Sequence, residues 1–231
     1  IMGNSFPKLN WILEEGNKTV IFCKNIALGF PVACYLWCKV AHLPDCEKEI
    51  HLYNSLNWPT YNSETLGFLN NNQESSIMIA TDTLSVGWDS QFTRNAVLLE
   101  ELNDINEFVQ KIGCIGWDCD TVPHPCAFLY YNQTAIATAK QIVNGGHLHS
   151  AQSDVKVSKS GNSAKDISMA KVLLAKCKMN TVDEPYKNLA VDPSCICHTC
   201  QVCPPMSCHE RCDCSGCEPE EPDLYVEEQQ P

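Results

Sequence analysis

An α/β fold with a mostly parallel sheet is what this chain of 231 residues predicts. Three observations carry it: short apolar, β-branched runs, segments of helical period between them, and polar breaks after each. Residues 20–23 (Val-Ile-Phe-Cys) are apolar throughout, the pattern of a strand buried on both faces. Residues 26–41 then have helical spacing, with Pro31 tolerable only near a first turn. The alternation continues with a strand at 50–53, a helix at 63–70, and strands at 76–80 and 95–99. A helix follows at 105–112, with Asp104 available as its cap, then a strand at 127–131 and a closing helix at 133–143. In sheets built this way, function sits in loops beyond the strand C-termini, where residues 81–89 and 113–118 are expected to fall.

Residues 146–163 lie in a Gly-, Ser- and Lys-rich stretch that reads as a linker. Helical spacing resumes over 164–178 and leads into a cysteine cluster. Residues 218–231 are acidic and Pro-containing, the composition of a disordered tail. The expected domains are therefore 1–145, a linker, a small helical and cysteine-rich module at 164–217, and the tail.

An apolar fraction of 44% with 19% charged residues reads as globular, and no apolar run reaches the roughly 18 residues of a membrane span. A soluble protein is expected. The chain opens Ile1-Met2-Gly3 without a basic stretch and apolar core, so no secretory leader is read, and the opening suggests a cut from a longer product. Eight of the sixteen cysteines lie between Cys195 and Cys217. Without a leader, a reducing compartment and metal ligation explain that cluster better than disulfides.

The net charge is −12, and most of it is local. From Asp183 onward eleven acidic residues face only Lys187 and Arg211, which puts −9 in that segment. An almost neutral body with an acidic tail grips phosphates poorly, because nucleic-acid affinity is largely neutralisation by Lys and Arg. Arginine is confined to Arg94 and Arg211 beside fourteen lysines. Cys and Trp are what C-to-T transitions make of arginine codons, so decay of an arginine-rich ancestor is one reading. It requires TGT or TGC at codon 114 and TGG at codon 117.

Two segments carry the chemistry. Ile77-Met78-Ile79-Ala80-Thr81-Asp82 leads to Gly87-Trp88-Asp89, and about twenty residues later comes Gln110-Lys111-Ile112-Gly113-Cys114-Ile115-Gly116-Trp117-Asp118. They resemble motifs V and VI of superfamily-2 helicases, "I-x-x-A-T-D-x-x-x-x-G-x-D" and "Q-R-x-G-R-x-G-R-D". Lys18-Thr19-Val20-Ile21-Phe22-Cys23 is similar to motif IV, and the block from Leu52 through Asn54 to Leu66 fits between, so four segments stand in the family's order. Residues 1–145 are most similar to the second RecA-like lobe of RecQ-type DNA helicases, including fungal ones.

That resemblance implies ATP-driven 3′-to-5′ unwinding of DNA in the nucleus, with Mg²⁺ and a first helicase lobe as partner. It puts Gly87, Asp89, Gln110 and Lys111 at the nucleotide, and Cys23, Lys24, Asn54, Thr81 and Asp82 along the nucleic acid. At the family's two catalytic arginine positions stand Cys114 and Trp117. An arginine finger is worth on the order of 10³ to 10⁵ in rate, and neither a thiol nor an indole supplies its charged planar fork. A phosphate-binding G-x-x-x-x-G-K-[ST] loop and a D-E-x-H box belong to the first lobe and do not occur here. The expectation is that this chain alone hydrolyses no ATP.

Cys197-x2-Cys200-x2-Cys203 with the upstream Cys177 resembles in order and spacing the zinc subdomain that follows the second lobe in RecQ-type enzymes. Four thiolates suit tetrahedral Zn²⁺, and binding would order a segment too polar to fold alone. Cys195 could replace any of these ligands, and Cys208, Cys212, Cys214 and Cys217 with His198 and His209 could form a second site. The competing functional classes are a non-catalytic zinc-binding interaction module and a decaying pseudogene product. An intact upstream phosphate-loop reading frame favours the helicase; stop codons favour decay.

Overall fold

A computed structural model of the chain describes residues 5–43, 49–71, 76–81, 83–84, 88–99, 104–116, 120–144 and 164–186. Its centre is a five-stranded, wholly parallel sheet in the order β2-β3-β1-β4-β5. The strands are β1 (Thr19–Cys23), β2 (Ile50–Tyr53), β3 (Ile77–Ala80), β4 (Asn95–Leu99) and β5 (Cys126–Tyr130). The expected α/β class and each expected strand are present, within a residue at their ends.

The apolar runs are continuous because the sheet is covered on both faces. Ile21, Cys23, Ile77, Ile79 and Val97 point to one side, against helices α1 (Asn10–Glu15) and α2 (Ile26–Val40). Val20, Phe22, Met78, Ala80, Ala96 and Leu98 point to the other. There they meet α3 (Pro59–Asn70), α4 (Ile105–Ile112), α6 (Ala164–Leu174) and α7 (Lys178–Tyr186), while α5 (Gln133–Val143) packs on α6. Every residue of β1 is buried, as its central place requires.

Four elements bear comparison with the expected ones. The α2 helix starts at Ile26 as expected and carries Pro31 in its second turn; the carbonyl that Pro31 cannot bond belongs to Ala27, on the exposed side. Helix α3 begins at Pro59, four residues early, because proline is preorganised for a first helical position. The helix expected over 164–178 breaks after Leu174 and restarts at Lys178. Helix α1 lacked a strong periodic pattern and was not expected; Gly16 closes it in the left-handed region, at φ 63°.

Residues Met169, Val172 and Val182 of α6 and α7 share one core with Ile105 and Phe108 of α4. The two helices therefore complete the sheet's cover. The linker at 146–163, residues 187–217 and the tail at 218–231 lie outside the described residues. Among the described residues no helix is long and apolar enough to cross a membrane.

Candidate functional site

The chain builds two neighbourhoods rather than one. The first lies at the C-terminal edge of the sheet, where β1 and β3 end side by side. Lys24, Asn25, Ile26 and Ala27 from the β1-α2 junction, with Thr81 and Thr83 after β3, line an open groove of about 440 Å³. Asn25 shapes its floor by accepting Leu28 N–H through its side-chain oxygen at 2.9 Å, which caps α2. The hydroxyls of Thr81 and Thr83 are 3.3 Å apart. Thr81 N–H also donates to Tyr53 O at 3.3 Å, which ties this groove to the end of β2. Lys24, Asn25, Thr81 and Thr83 bring an ammonium, an amide and two hydroxyls to a groove whose exposed lining is otherwise mostly apolar, and a fifteen-residue helix starts beside it.

The second neighbourhood lies on the face covered by α4. A helix joining neighbouring parallel strands runs antiparallel to them, so α4 carries the chain away from the C-terminal edge. The turn that follows it meets the segment descending toward β4: Ser90 N–H donates to Cys114 O at 2.9 Å, and Ser90 pairs in parallel with Ile115. Trp88 and Ile115 pack into the same core. Asp89 and Gln110 thus stand on one side of the molecule, both exposed. The expectation that all of 81–89 and 113–118 sits beyond the strand C-termini is corrected: Thr81 does, whereas Asp89 and the turn at 113–116 lie on the helical face.

The turn needs both of its glycines. Gly116 has φ 68°, and a Cβ there would lie 2.3 Å from Pro125 Cβ. At Gly113 a Cβ would meet Val109 O at 2.9 Å, inside contact distance. Cys114 between them is buried, and its thiol donates to Gln110 O at 3.0 Å. Burial, and then the Asp89 carboxylate, push this thiol's pKa up, so it stays protonated. A neutral, inward-turned thiol is a poor substitute for a cation reaching a phosphate.

Other expected residues are placed as follows. Lys111 is 2% exposed and runs under the sheet, bonded to Glu107 at 2.5 Å with its ammonium 5.8 Å from the Phe22 ring. Its aliphatic spacing on an amphipathic helix hid this; the nucleotide role assigned to Lys111 is not served by that position. Cys23 is fully buried beneath α2, where its side chain meets Gly29, so Lys24 alone of that pair faces the groove. Asn54 is 6% exposed and spends its side-chain oxygen on Leu56 N–H at 2.9 Å. These corrections share one cause: motif spacing fixes order along the chain, while strand alternation and helix phase decide which way a side chain points.

Cys177 opens α7 rather than closing the helix before it, and its sulfur accepts Asn180 N–H at 3.5 Å. A thiol already taking a backbone hydrogen bond is compatible with a ligating thiolate. Among the described residues no three His, Cys, Asp or Glu side chains gather as a metal site. Cys197, Cys200 and Cys203 lie outside the described residues, as do Asp82, Gly87 and Trp117.

Ser90 and Thr93 were not singled out from the sequence. Both are buried; Thr93 Oγ1 donates to Ser90 Oγ at 2.7 Å and Thr93 N–H at 3.2 Å, which folds the strap before β4. The Ser-x-x-Thr spacing was the available clue.

Fold and site together define an α/β domain whose parallel sheet carries an open groove at its C-terminal edge and a coupled strap-and-turn on its helical face. No protein-family model and no curated protein matches the chain. Among solved structures it is similar to the Mycobacterium smegmatis helicase Lhr bound to ssDNA and AMP-PNP, at 13% identity and TM-score 0.47, covering 79% of this chain and 24% of that one. It is also similar to the C-terminal part of the Fun30 ATPase domain, at 11% identity and TM-score 0.44, covering 75% and 50%. For domain 2 of the DEAD-box helicase Mss116p bound to an RNA duplex the identity is 12% and the TM-score 0.42, covering 78% and 70%. The chain spans half the length of the Fun30 structure and about a quarter of Lhr.

Proposed function

We propose that this chain is the second RecA-like lobe of a RecQ-type ATP-dependent 3′-to-5′ DNA helicase, with the start of its zinc module, and that it hydrolyses no ATP by itself. The observation that carries the reading is the Ser90–Cys114 coupling, because it brings the motif V and motif VI segments together with Asp89 and Gln110 exposed beside them. Those two side chains would border the nucleotide. A first lobe would add the phosphate-binding lysine and the acids that hold Mg²⁺. Single-stranded DNA would lie along the Lys24–Thr83 groove.

The non-catalytic reading has support of its own in the buried, protonated Cys114 thiol at an arginine position. In that form the lobe is a scaffold, and the acidic tail recruits partners. Cys177, Cys197, Cys200 and Cys203 would hold one Zn²⁺, whose binding would order the segment between them. DNA as partner and a nuclear location follow from the resemblance.

The test joins this chain to the first lobe of a RecQ-type helicase and measures ATP hydrolysis with single-stranded DNA. The native chain is expected to add nothing. Cys114→Arg with Trp117→Arg is expected to raise the rate by on the order of 10³ or more. Hydrolysis by the native fusion overturns the inactivity, and failure of the paired arginines overturns the nucleotide-facing assignment.

A further inference from the structure

The loop between β2 and α3 exposes two large apolar side chains, Leu56 at 79% and Trp58 at 81%. An indole and an isobutyl group left in water forgo the stabilisation that their own burial would contribute. The loop is not loosely held. Asn54 Oδ1 accepts Leu56 N–H at 2.9 Å, Asn57 donates through Nδ2 to Leu52 O at 2.7 Å and to Asn62 Oδ1 at 3.1 Å, and Asn62 Nδ2 donates to Asn54 O at 2.8 Å. Pro59 at the first position of α3 fixes the backbone directly after Trp58. Three asparagines and a proline therefore hold the backbone that carries the exposed indole.

The place of this loop selects its occupant. It leaves the C-terminal end of β2, and the last β2 residue, Tyr53, accepts Thr81 N–H from the wall of the groove. Loop and groove thus share the C-terminal edge of the sheet, and single-stranded nucleic acid uses donors along its backbone together with an aromatic ring for a base. Stacking also suits an acidic chain, since it needs no phosphate neutralisation.

We propose that Trp58, flanked by Leu56, is a stacking platform for an unpaired base of a strand whose backbone lies in the Lys24–Thr83 groove. This deepens the nucleic-acid part of the function proposed above and rests on it.

The experiment measures binding of the full chain to a labelled short oligodeoxythymidylate and to a blunt duplex of equal length, for the native protein, Trp58→Ala, Trp58→Phe and Lys24→Ala. An iodouracil-substituted oligonucleotide is photocrosslinked in parallel and the modified residue mapped. Trp58→Ala is expected to weaken single-strand binding by about 5- to 100-fold, Trp58→Phe to retain most of it, and the crosslink to fall on Trp58. Trp58 is exposed, so circular dichroism of the variants should match the native chain. Native-like binding by Trp58→Ala with weakened binding by Lys24→Ala overturns the platform and leaves the groove standing. No single-strand binding by the native chain overturns both. Equal loss on the duplex, or self-association of the native chain abolished by Trp58→Ala without DNA, overturns the platform in favour of a general contact surface or a second copy.

Discussion

Gly116 shows how a single position constrains the turn after α4. With φ 68° and Pro125 Cβ 2.3 Å from where a side chain would begin, Gly116→Ala meets both backbone strain and a clash. Each is worth about 1–3 kcal/mol. Gly16 has a similar φ of 63° but nothing within 4 Å, so Gly16→Ala carries the strain alone. Denaturant unfolding is expected to rank Gly116→Ala well below Gly16→Ala in stability. Cys114 makes a second prediction. Its folded pKa is raised above the ordinary 9.0, so the unfolded chain gives up this proton first as pH rises. The contribution of Cys114 is then fully present below pH 9.0 and is lost as pH climbs through the folded value. The decline of stability across that range should be shallower in Cys114→Ser. At neutral pH a thiol reagent should modify the exposed Cys38 well before Cys114.

At the scale of elements, α4 carries the turn that meets the strap before β4. Asp104 caps it by accepting Asn106 N–H at 2.9 Å, and Asp104→Ala is expected to cost about 1 kcal/mol in unfolding free energy. Its Glu107–Lys111 pair is asymmetric: the ammonium side is 2% exposed and the carboxylate side 32%. Removing Glu107 takes the carboxylate from beside a buried ammonium, whereas removing Lys111 leaves a carboxylate that water reaches. Glu107→Ala should therefore destabilise more than Lys111→Met, a ranking that paired urea titrations check. The strands and α4 were legible because burial on both faces writes continuous apolar runs, and because Asp104 stands where a cap belongs. The depth of Lys111 was not legible. Its long aliphatic stem lets a charged residue occupy a core position that the sequence marks as surface. Asn54 and the position of the 113–116 turn escaped for a related reason, since they depend on helix direction and strand phase, which motif spacing does not encode; the burial of Cys23 was legible from its apolar run.

For the whole molecule, the described helices after residue 163 belong to the same core as the sheet. Val172 is 2% exposed and packs with Met169, Val182 and the α4 residues Ile105 and Phe108. Val172→Ala is expected to lower the unfolding midpoint of the whole domain, by about 1–3 kcal/mol in stability, in one cooperative transition. A transition that leaves the sheet's own unfolding unchanged would mean that α6 and α7 form a separate unit. The strap at 88–90 meeting the turn at 113–116 is what brings Asp89 and Gln110 to one side of the molecule. The most direct check is a nuclear Overhauser spectrum of the labelled chain in solution. Cross-peaks from the Ser90 amide proton to the α protons of Cys114 and Ile115 are expected, with a slowly exchanging Ser90 amide; a rapidly exchanging amide with neither cross-peak would contradict the coupling.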